Sequence, residues 1–452
     1  MTDMTTDTIC ALATPPGVAG LAVVRISGPR AFELCDVFFH GSASATDAAD
    51  HSITFGWWDD GDRRIDSVTL MVYRAPRSYT GEHVVEIGCH GGVFISDQII
   101  SGLLNSGARL ADPGEFTRRA FINRKLNLVQ VEAVADMIHA ATEQGAQTAA
   151  RQLAGGFTKR LESFRTALLE ILGLLELELD FSEEDVEFVP RAQLRDRIGA
   201  ILHEVSLTAS TARGASLLRS GFQVAVVGFP NAGKSSLFNA LLLRNRAIVS
   251  DQPGTTRDYL SETLLLDGYA VHLIDTAGIR TTEDTIELEG IAITASVVEQ
   301  ADLVLVLNDI TEGLHHSDPL ADDLSARYPS TPVCVVHNKI DRVAQAEIPT
   351  EQLYCSAVSG EGLDVLRQNI VSTIRSRTVG ISDVLVNDRQ ARLLEVIAGC
   401  LSSVVGGLDS KASNDELAVD LRQCIRVLGE ITGETWNPDV LDTVFSRFCI
   451  GK

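Results

Sequence analysis

Apolar positions along this chain switch between strand and helix periods, and the switches divide it into segments. Up to about residue 121, the short β-branched runs "AGLAVVRISG", "SVTLMVY" and "EHVVEIGC", bounded by Gly and Pro, predict strands of a mixed α+β unit. From about 122 to 220 the spacing is helical. Leu161, Phe164, Leu168, Ile171, Leu172 and Leu175 share one face, and Leu194, Ile198, Ile201, Leu202 and Val205 share another. Residues 221–378 alternate the apolar runs "FQVAVVG", "AVHLIDT", "DLVLVLN", "PVCVVHN" and "LYCSA" with helical stretches, the rhythm of a doubly wound α/β domain. The helical period returns over 379–452, through Leu393, Leu394, Ile397, Leu401, Val404 and Leu408, then Leu417, Leu421, Ile425, Leu428 and Ile431. Amphipathic faces need partners, so the two helical stretches predict one helical domain interrupted by an inserted α/β domain. The expected division is 1–121, 122–220, 221–378 and 379–452.

Composition narrows the class. At 452 residues, 45% hydrophobic and 22% charged, the chain reads as a globular protein of several domains. No uninterrupted apolar run approaches the roughly 18 residues of a membrane span, and "MTDMTTDTICAL" lacks a basic leader region. The eight scattered cysteines form no Cys-x-x-Cys pair, which predicts free thiols in a reducing cytoplasm. A formal charge of -23 repels phosphate backbones, so contact with RNA needs a local basic patch or a partner. The best local candidate is "TRRAFINRK", Thr117 to Lys125, expected on a surface helix.

The inserted domain carries the chemistry. "GFPNAGKSS" follows a strand and opens a helix, as a phosphate loop must. Gly228 and Gly233 let backbone N–H groups of the loop, Asn231 to Ser236 with Ala232 among them, close on phosphate oxygens. Lys234 offers its charge to the β and γ phosphates, and the Ser235 hydroxyl ligates magnesium. Thr256, in "DQPGTTRD", is placed to complete the magnesium shell. "DTAG" puts the Asp275 carboxylate behind the metal, followed by Thr276, Ala277 and the Gly278 N–H at the γ-phosphate. "NKID" supplies Asn338, Lys339 and Asp341, whose carboxylate accepts from both N1–H and N2–H of guanine. "CSA" adds Ser356 and Ala357, with an N–H for guanine O6. These motifs in this order predict a guanine-nucleotide site.

One position breaks the usual pattern. After Gly278, where many GTPases hold their water with glutamine, stands Ile279, which cannot bond a water. Phosphoryl transfer needs an oriented water and positive charge on the developing oxygens. Glu283, Asp284, Glu287 and Glu289 are candidates for the first, and spacing does not choose among them. Arg257 and Arg280 are candidates for the second, as is a monovalent cation on the side-chain oxygen of Asn231.

The sequence resembles the MnmE (TrmE) family of tRNA-modification GTPases nearly end to end. The resemblance rests on "DTICALATPPGVAGLAVVRISG", "APRSYTGEHVVEI", "CHGG", "PGEFTRRAFINRKLNLVQVEAVADMI", "DFSEED", the GTPase motifs and the closing "RFCIGK". It implies an N-terminal α+β folate-binding domain, a helical domain and a Ras-like P-loop GTPase domain inserted into the latter, that is, an α/β and all-α multidomain protein. It further implies potassium activation, with Asn231, Ser250, Gln252 and Thr255 as ligands, and Glu287 as the catalytic residue that orients the water when two G domains meet in a homodimer. Gln252 stands where an aliphatic residue is usual, a departure discounted because the ligand there is main chain.

Arg25, Glu82, Lys125 and Lys452 match the family's site for 5-formyl-tetrahydrofolate, an analogue of 5,10-methylenetetrahydrofolate. Cys449 lies near it and is expected as a small buried thiol. The implied function is a Mg2+- and K+-dependent GTPase that works with the FAD-bearing partner MnmG in a heterotetramer-type complex. Together they add a carboxymethylaminomethyl or aminomethyl group at C5 of wobble uridine 34 of certain tRNAs. The alternative is a ribosome-assembly GTPase switch without modification chemistry. Such proteins tend to attach a basic RNA-binding module, which this chain lacks.

Overall fold

The computed structural model describes residues 7–140, 142–180, 189–245, 261–275, 297–315, 317–343, 352–378, 384, 386–446 and 448–452. They fall into two compact units. One comprises Met1–Ala135, Gln152–Gly199 and Gly399–Lys452, the other Asp136–Arg151 and Ala200–Ala398.

The first unit begins with seven strands: β1 (Ile9–Leu12), β2 (Ala19–Ser27), β3 (Phe39–Gly41), β4 (Ser52–Asp60), β5 (Arg63–Tyr73), β6 (Val84–Gly91) and β7 (Arg109–Leu110). Their order is β3-β4-β5-β6-β2-β1-β7, antiparallel throughout except for the parallel β1–β7 pair. Alternation gives the sheet two faces. Val24, Ile26, Leu70, Val85 and Ile87 lie in one core with Phe32 and Leu34 of helix Ala31–Asp36 and Ile99 and Leu103 of helix Val93–Asn105. On the opposite face Ile9 and Ala11 cluster with Phe116, while Ile53, Phe55 and Trp57 of β4 are exposed.

Helix Glu115–Ile122 differs from expectation. The segment "TRRAFINRK" is expected on a surface helix, yet Glu115, Phe116, Thr117, Arg119, Ala120 and Phe121 are all buried, with Arg119 paired to Asp7, Glu82 and Glu115. Beyond it, helix Gly156–Asp180 buries Leu161, Phe164, Leu168, Ile171, Leu172 and Leu175, and helix Asn414–Thr432 buries Leu417, Leu421, Leu428 and Ile431. Arg422 Nη2 meets Glu176 Oε1 at 2.7 Å and Asn414 Nδ2 donates to Glu178 Oε2 at 2.8 Å, so these helices are tied side by side. Ile425 is only half-buried, and Cys424 takes the core position beside it.

The second unit holds β8 (Phe222–Gly228), β9 (Ser261–Leu266), β10 (Tyr269–Asp275), β11 (Leu303–Asp309), β12 (Val333–Asn338) and β13 (Leu353–Tyr354) in the order β13-β12-β11-β8-β10-β9. Every pairing is parallel except β9 with β10. The first strand of the sheet in sequence, β8, sits inside it, with β11 on one side and β10 on the other. That reversal of winding opens a crevice at the carboxyl ends of the strands. Apolar clusters cover both faces, one around Val224, Val226, Leu305 and Leu307, the other around Ala225, Val227, Val304 and Val306.

Among the described residues one helix, Asp388–Asp409, is long and apolar enough to cross a membrane by length and composition. Its buried residues Leu394, Ile397, Leu401, Val404 and Leu408 recur every three or four positions, the stripe of a helix with one face in a protein core.

Candidate functional site

The turn between β8 and helix Lys234–Asn245 is built to surround an anion. Gly228, Asn231 and Gly233 have φ of 153°, 67° and 94°, so the chain winds through left-handed conformations that form anion-binding nests. Lys234 Nζ donates to the carbonyls of Gly228 (2.8 Å) and Phe229 (3.0 Å), which holds the ammonium within the loop. A Cβ on Gly233 would stand 2.3 Å from Asn338 Nδ2, so only glycine fits there. Ser235 and Ser236 occupy the first turn of the helix and are exposed, where hydroxyl and backbone N–H groups at a helix N-terminus suit a metal-bound phosphate.

A second group of side chains rises from the ends of β11, β12 and β13. Asn338 Nδ2 donates to Ala232 O at 2.9 Å, and its Oδ1 accepts from Ala357 N at 3.1 Å. Lys339, in a left-handed conformation (φ 69°), bonds the buried Asp309 carboxylate. Burial alone would raise the Asp309 pKa, but the bonds from Lys339 and from the Thr311 amide and hydroxyl outweigh it and hold the carboxyl below its ordinary range. Ser356 Oγ donates to Asp341 Oδ1 at 2.6 Å, fixing that carboxylate at the same edge.

In the N-terminal sheet, Arg25 and Ser27 share the face away from helices Ala31–Asp36 and Val93–Asn105, the face on which Phe116 of helix Glu115–Ile122 packs. The Arg25 guanidinium bonds Glu86 Oε1 (2.7 Å from Nη2) and donates to Gly451 O (3.3 Å), with the Tyr79 and Phe116 rings each 5.5 Å away. The C-terminal segment is therefore seated on this face. Thr117 N donates to Lys452 O at 3.1 Å, and a Cβ on Gly451 would lie 2.1 Å from Leu12 O, so the backbones touch. Burial first, and then the Arg25 charge, lower the Lys452 pKa, with Glu86 opposing. Two residues along β2, Ser27 Oγ donates to Glu82 Oε2 at 2.7 Å, and Arg119 reaches both Glu82 oxygens at 3.2 Å.

Comparison with known proteins decides the family. Residues 8–125 match the family model "GTP-binding protein TrmE N-terminus", and residues 128–449 match "MnmE helical domain". A protein of Chlorobaculum tepidum named tRNA modification GTPase MnmE is 40% identical over 459 residues, covering 98% of this chain and 97% of its own. One of Salinibacter ruber with the same name is 41% identical over 462 residues, 99% of each chain. The chain belongs to the MnmE family of tRNA-modification GTPases. The architecture agrees with its placement there: an α+β N-terminal domain, helices, and a P-loop α/β domain.

Within this MnmE-family chain, the structure gathers Ala232, Gly233 and Lys234 with Asn338, Lys339, Asp341, Ser356 and Ala357 at one sheet edge. Asn231 is exposed at the lip of the loop. Asp275 ends β10 in register with Val226, beside the phosphate loop. Ser250, Gln252, Thr255, Thr256, Thr276, Ala277, Gly278 and Glu287 lie outside the described residues. Arg25 and Lys452 come together, and Ser27 links that site to Glu82. Lys125 instead donates to Pro76 O at 3.0 Å, across the loop that leads to Glu82.

Cys449 corrects an expectation. The "CIGK" turn is held by Phe448 and Gly451, which are buried, and this leaves Cys449 and Ile450 pointing outward and exposed. Sequence reasoning also missed Asp309, Ser27, Glu86 and Arg119. Only Asp309 left a signal, as an acid closing the apolar run "DLVLVLND".

Proposed function

We propose that this chain is a potassium-activated GTPase that acts as a homodimer with a flavin-bearing MnmG partner. Together they modify C5 of wobble uridine 34 in certain tRNAs with a tetrahydrofolate one-carbon unit. The proposed division is a folate domain at 1–121 and a helical domain at 122–220 and 379–452 that carries the G domain, 221–378, as an insertion. The observation that carries the reading is the seating of the C-terminal segment against Arg25, which places two cations, Arg25 and Lys452, on one sheet face beside Glu86.

That donor set fits a folate: cations suit its glutamate carboxylates, the Tyr79 and Phe116 rings suit a flat heterocycle, and Glu82 suits the donor edge of a pterin. Bound there, the cofactor supplies the carbon that is transferred. Arg25 and Lys452 hold and orient it, and Ser27 and Arg119 hold the Glu82 carboxyl in place.

At the other site, Lys234 and the helix N-terminus bind the phosphates while Asp341, held by Ser356, selects guanine. The Ser235 hydroxyl, with Thr256, suits magnesium, and the neutral amide oxygen of Asn231, with Ser250, Gln252 and Thr255, suits a monovalent cation. Such a cation supplies charge on the developing β–γ oxygens, and Glu287 holds the water. The exposed Ile53, Phe55 and Trp57 row supports association with a second copy.

The test is twofold. GTP turnover in potassium should exceed turnover in sodium, and GTP-dependent uridine modification should require both the flavoprotein and a folate. Cation-indifferent turnover would overturn the potassium assignment, and folate-independent modification the N-terminal one.

A further inference from the structure

The first unit also contains a cavity of about 660 Å³ to which the helix cap at Gly433 and Glu434, the turn after Phe121 and helix Gly156–Asp180 contribute; of the expected folate residues it is lined by Lys125 and by none of Arg25, Glu82 and Lys452. This size lies within the range of small-ligand sites, about 300–1,000 Å³. Its aromatic wall is Trp436, 47% exposed and packed edge-on against Phe121 with ring centroids 6.4 Å apart. Cations come from Arg124, Lys125 and Arg165, of which Lys125 donates to Pro76 O. Arg124 is one of the few non-glycine residues at positive φ (55°), held by Arg124 N to Phe121 O (3.0 Å) and Lys125 N to Ala120 O (2.8 Å). Arg165 Nη2 pairs with Glu434 Oε2 at 3.4 Å on the rim. Glu162 lines the same hollow.

The polar floor is already rigid. Asn127 and Gln130 cap each other reciprocally, Asn127 N to Gln130 Oε1 at 3.0 Å and Gln130 N to Asn127 Oδ1 at 2.9 Å. Asn127 Nδ2 is spent on Thr158 and Gln130 Nε2 on Leu153 O. The chemistry open to a ligand is therefore an aromatic face, guanidinium donors and carboxylate acceptors. A carboxylate-rich tail would meet Glu162 and Glu434 as like charges. A nucleobase offers what this lining wants: a π face for Trp436, carbonyl oxygens for Arg124, an N–H for Glu162, and a phosphate for Arg165 at the rim.

We propose that this cavity holds an unstacked, single-stranded nucleotide of the RNA substrate, with Trp436 as the stacking platform. The proposal rests on the tRNA reading above and names where the chain itself touches RNA. It also accounts for the end of the "TRRAFINRK" segment: Arg119 is turned inward to bind carboxylates, while Arg124 is presented to the cavity.

The probe is a short uridine-containing single-stranded RNA, with the same strand made abasic at its centre and tetraglutamate as controls, titrated into the full chain. Quenching of Trp436 fluorescence is the readout, with Trp57 and Trp58 replaced by Phe. The uridine strand is expected to quench Trp436 and the abasic strand to bind about tenfold more weakly. Anisotropy of the same strand carrying a 5′ fluorophore reads the variants: Trp436→Ala and Arg124→Asn should each lose about tenfold in affinity for the uridine strand, with GTP turnover unchanged as the sign of an intact fold. Arg124→Asn is chosen because asparagine tolerates positive φ. Equal binding by both strands, or quenching by tetraglutamate instead, would overturn the proposal. If the flavoprotein complex still modifies tRNA at the wild-type rate with Trp436→Ala, the cavity assignment fails and the tRNA reading stands. If no modification occurs with the unmutated chain, the tRNA reading fails.

Discussion

The Asn338 side-chain amide donates to the carbonyl of Ala232 across 2.9 Å, so the end of β12 and the phosphate loop are hydrogen-bonded directly. Base and phosphate recognition are therefore one rigid piece. Asn338→Ala leaves the Ala232 carbonyl and the Ala357 amide without this partner at a buried position, a loss of about 1–3 kcal/mol. GTP and GDP affinity should fall together, because the link does not involve the γ-phosphate. Titration with fluorescent analogues of both nucleotides measures this. A loss confined to GTP would contradict it. Gly233→Ala should be worse, since its Cβ has no space and its φ of 94° disfavours a side chain.

Asp309 sets the position of Lys339 and is the neighbour that sequence reasoning passed over. Its carboxyl is held below the ordinary Asp value, so its stabilising contribution is present above that value and lost as pH falls through the lowered one. Nucleotide affinity attributable to this pair should stay level from neutral pH down to the ordinary carboxylate range and fall only below it. Asp309→Asn should reduce affinity from neutral pH down to the ordinary carboxylate range, converge with the parent below it, and so flatten that acid limb. Binding measured across pH for both proteins checks it.

What could be read beforehand depended on how local the signal was. The phosphate loop and "NKID" are contiguous strings, the first with its backbone geometry set by its own glycines, and their placement at strand ends follows from the apolar runs before them. The helical stripes were legible for the same reason: Leu161 to Leu175 repeat within one helix, and all are buried. Strand β4 was missed because "SITFGWWDD" buries Thr54, Gly56 and Trp58 while exposing Ile53, Phe55 and Trp57, which inverts the usual pattern of polar outward and apolar inward. Arg119 was misread because its partners Asp7, Glu82 and Glu115 come from three places in the chain, and no local pattern reports such a junction.

That junction makes a strong stability prediction. Arg119 is 1% exposed and bonds Asp7 Oδ1 (2.6 Å), Glu115 Oε1 (3.0 Å) and Glu82, while Arg109 bonds both Glu115 oxygens. Arg119→Met removes the cation that Glu82 pairs with, leaves Glu115 and Asp7 with Arg109 alone, and should cost about 3 kcal/mol. Lysine should not rescue, because one ammonium cannot span the three acceptors. Burial would raise the Glu115 pKa, but Arg109, the Asp112 amide and Arg119 together bring it below 4.5. Its contribution is thus complete above 4.5 and lost as pH falls through the lowered value. Thermal melts of the variant and parent at pH 7 and on the acid side measure both effects, and a variant melting like the parent would refute this account.

Arg25 and Lys452 predict a pH signature for the anionic cofactor. Burial and the Arg25 charge bring the Lys452 ammonium below its ordinary 10.5, so the ammonium is lost earlier as pH rises. Binding of 5-formyl-tetrahydrofolate should weaken on the alkaline side before an ordinary lysine would titrate. Lys452→Arg should remove that decline, and Arg25→Ala should abolish binding while GTP turnover without the partner persists. Calorimetric titration from neutral to alkaline pH follows the first two, and an unchanged alkaline limb in Lys452→Arg would assign it to another group.

The exposed Cys449 gives a chemical check on the seating of the C-terminal segment. Cys10, Cys355 and Cys424 are buried, which pushes each thiol up to about 12, and Cys89 is raised to about 11, so these four resist thiolate chemistry near pH 8. Cys449 sits outside that protection, between the buried Phe448 and Gly451. A disulfide reagent at pH 8 should therefore show a fast phase that is absent in Cys449→Ser, with the half-buried Cys334 and Cys400 slower and the buried thiols reacting only on unfolding. Replacing Gly451 by Val would force the segment away from Leu12 and free Lys452 from the Thr117 amide. That variant should keep the fast Cys449 phase yet lose folate affinity, which separates an exposed thiol from a correctly seated site. If Gly451→Val bound folate normally, the contact between the C-terminal segment and β1 would have no part in the site.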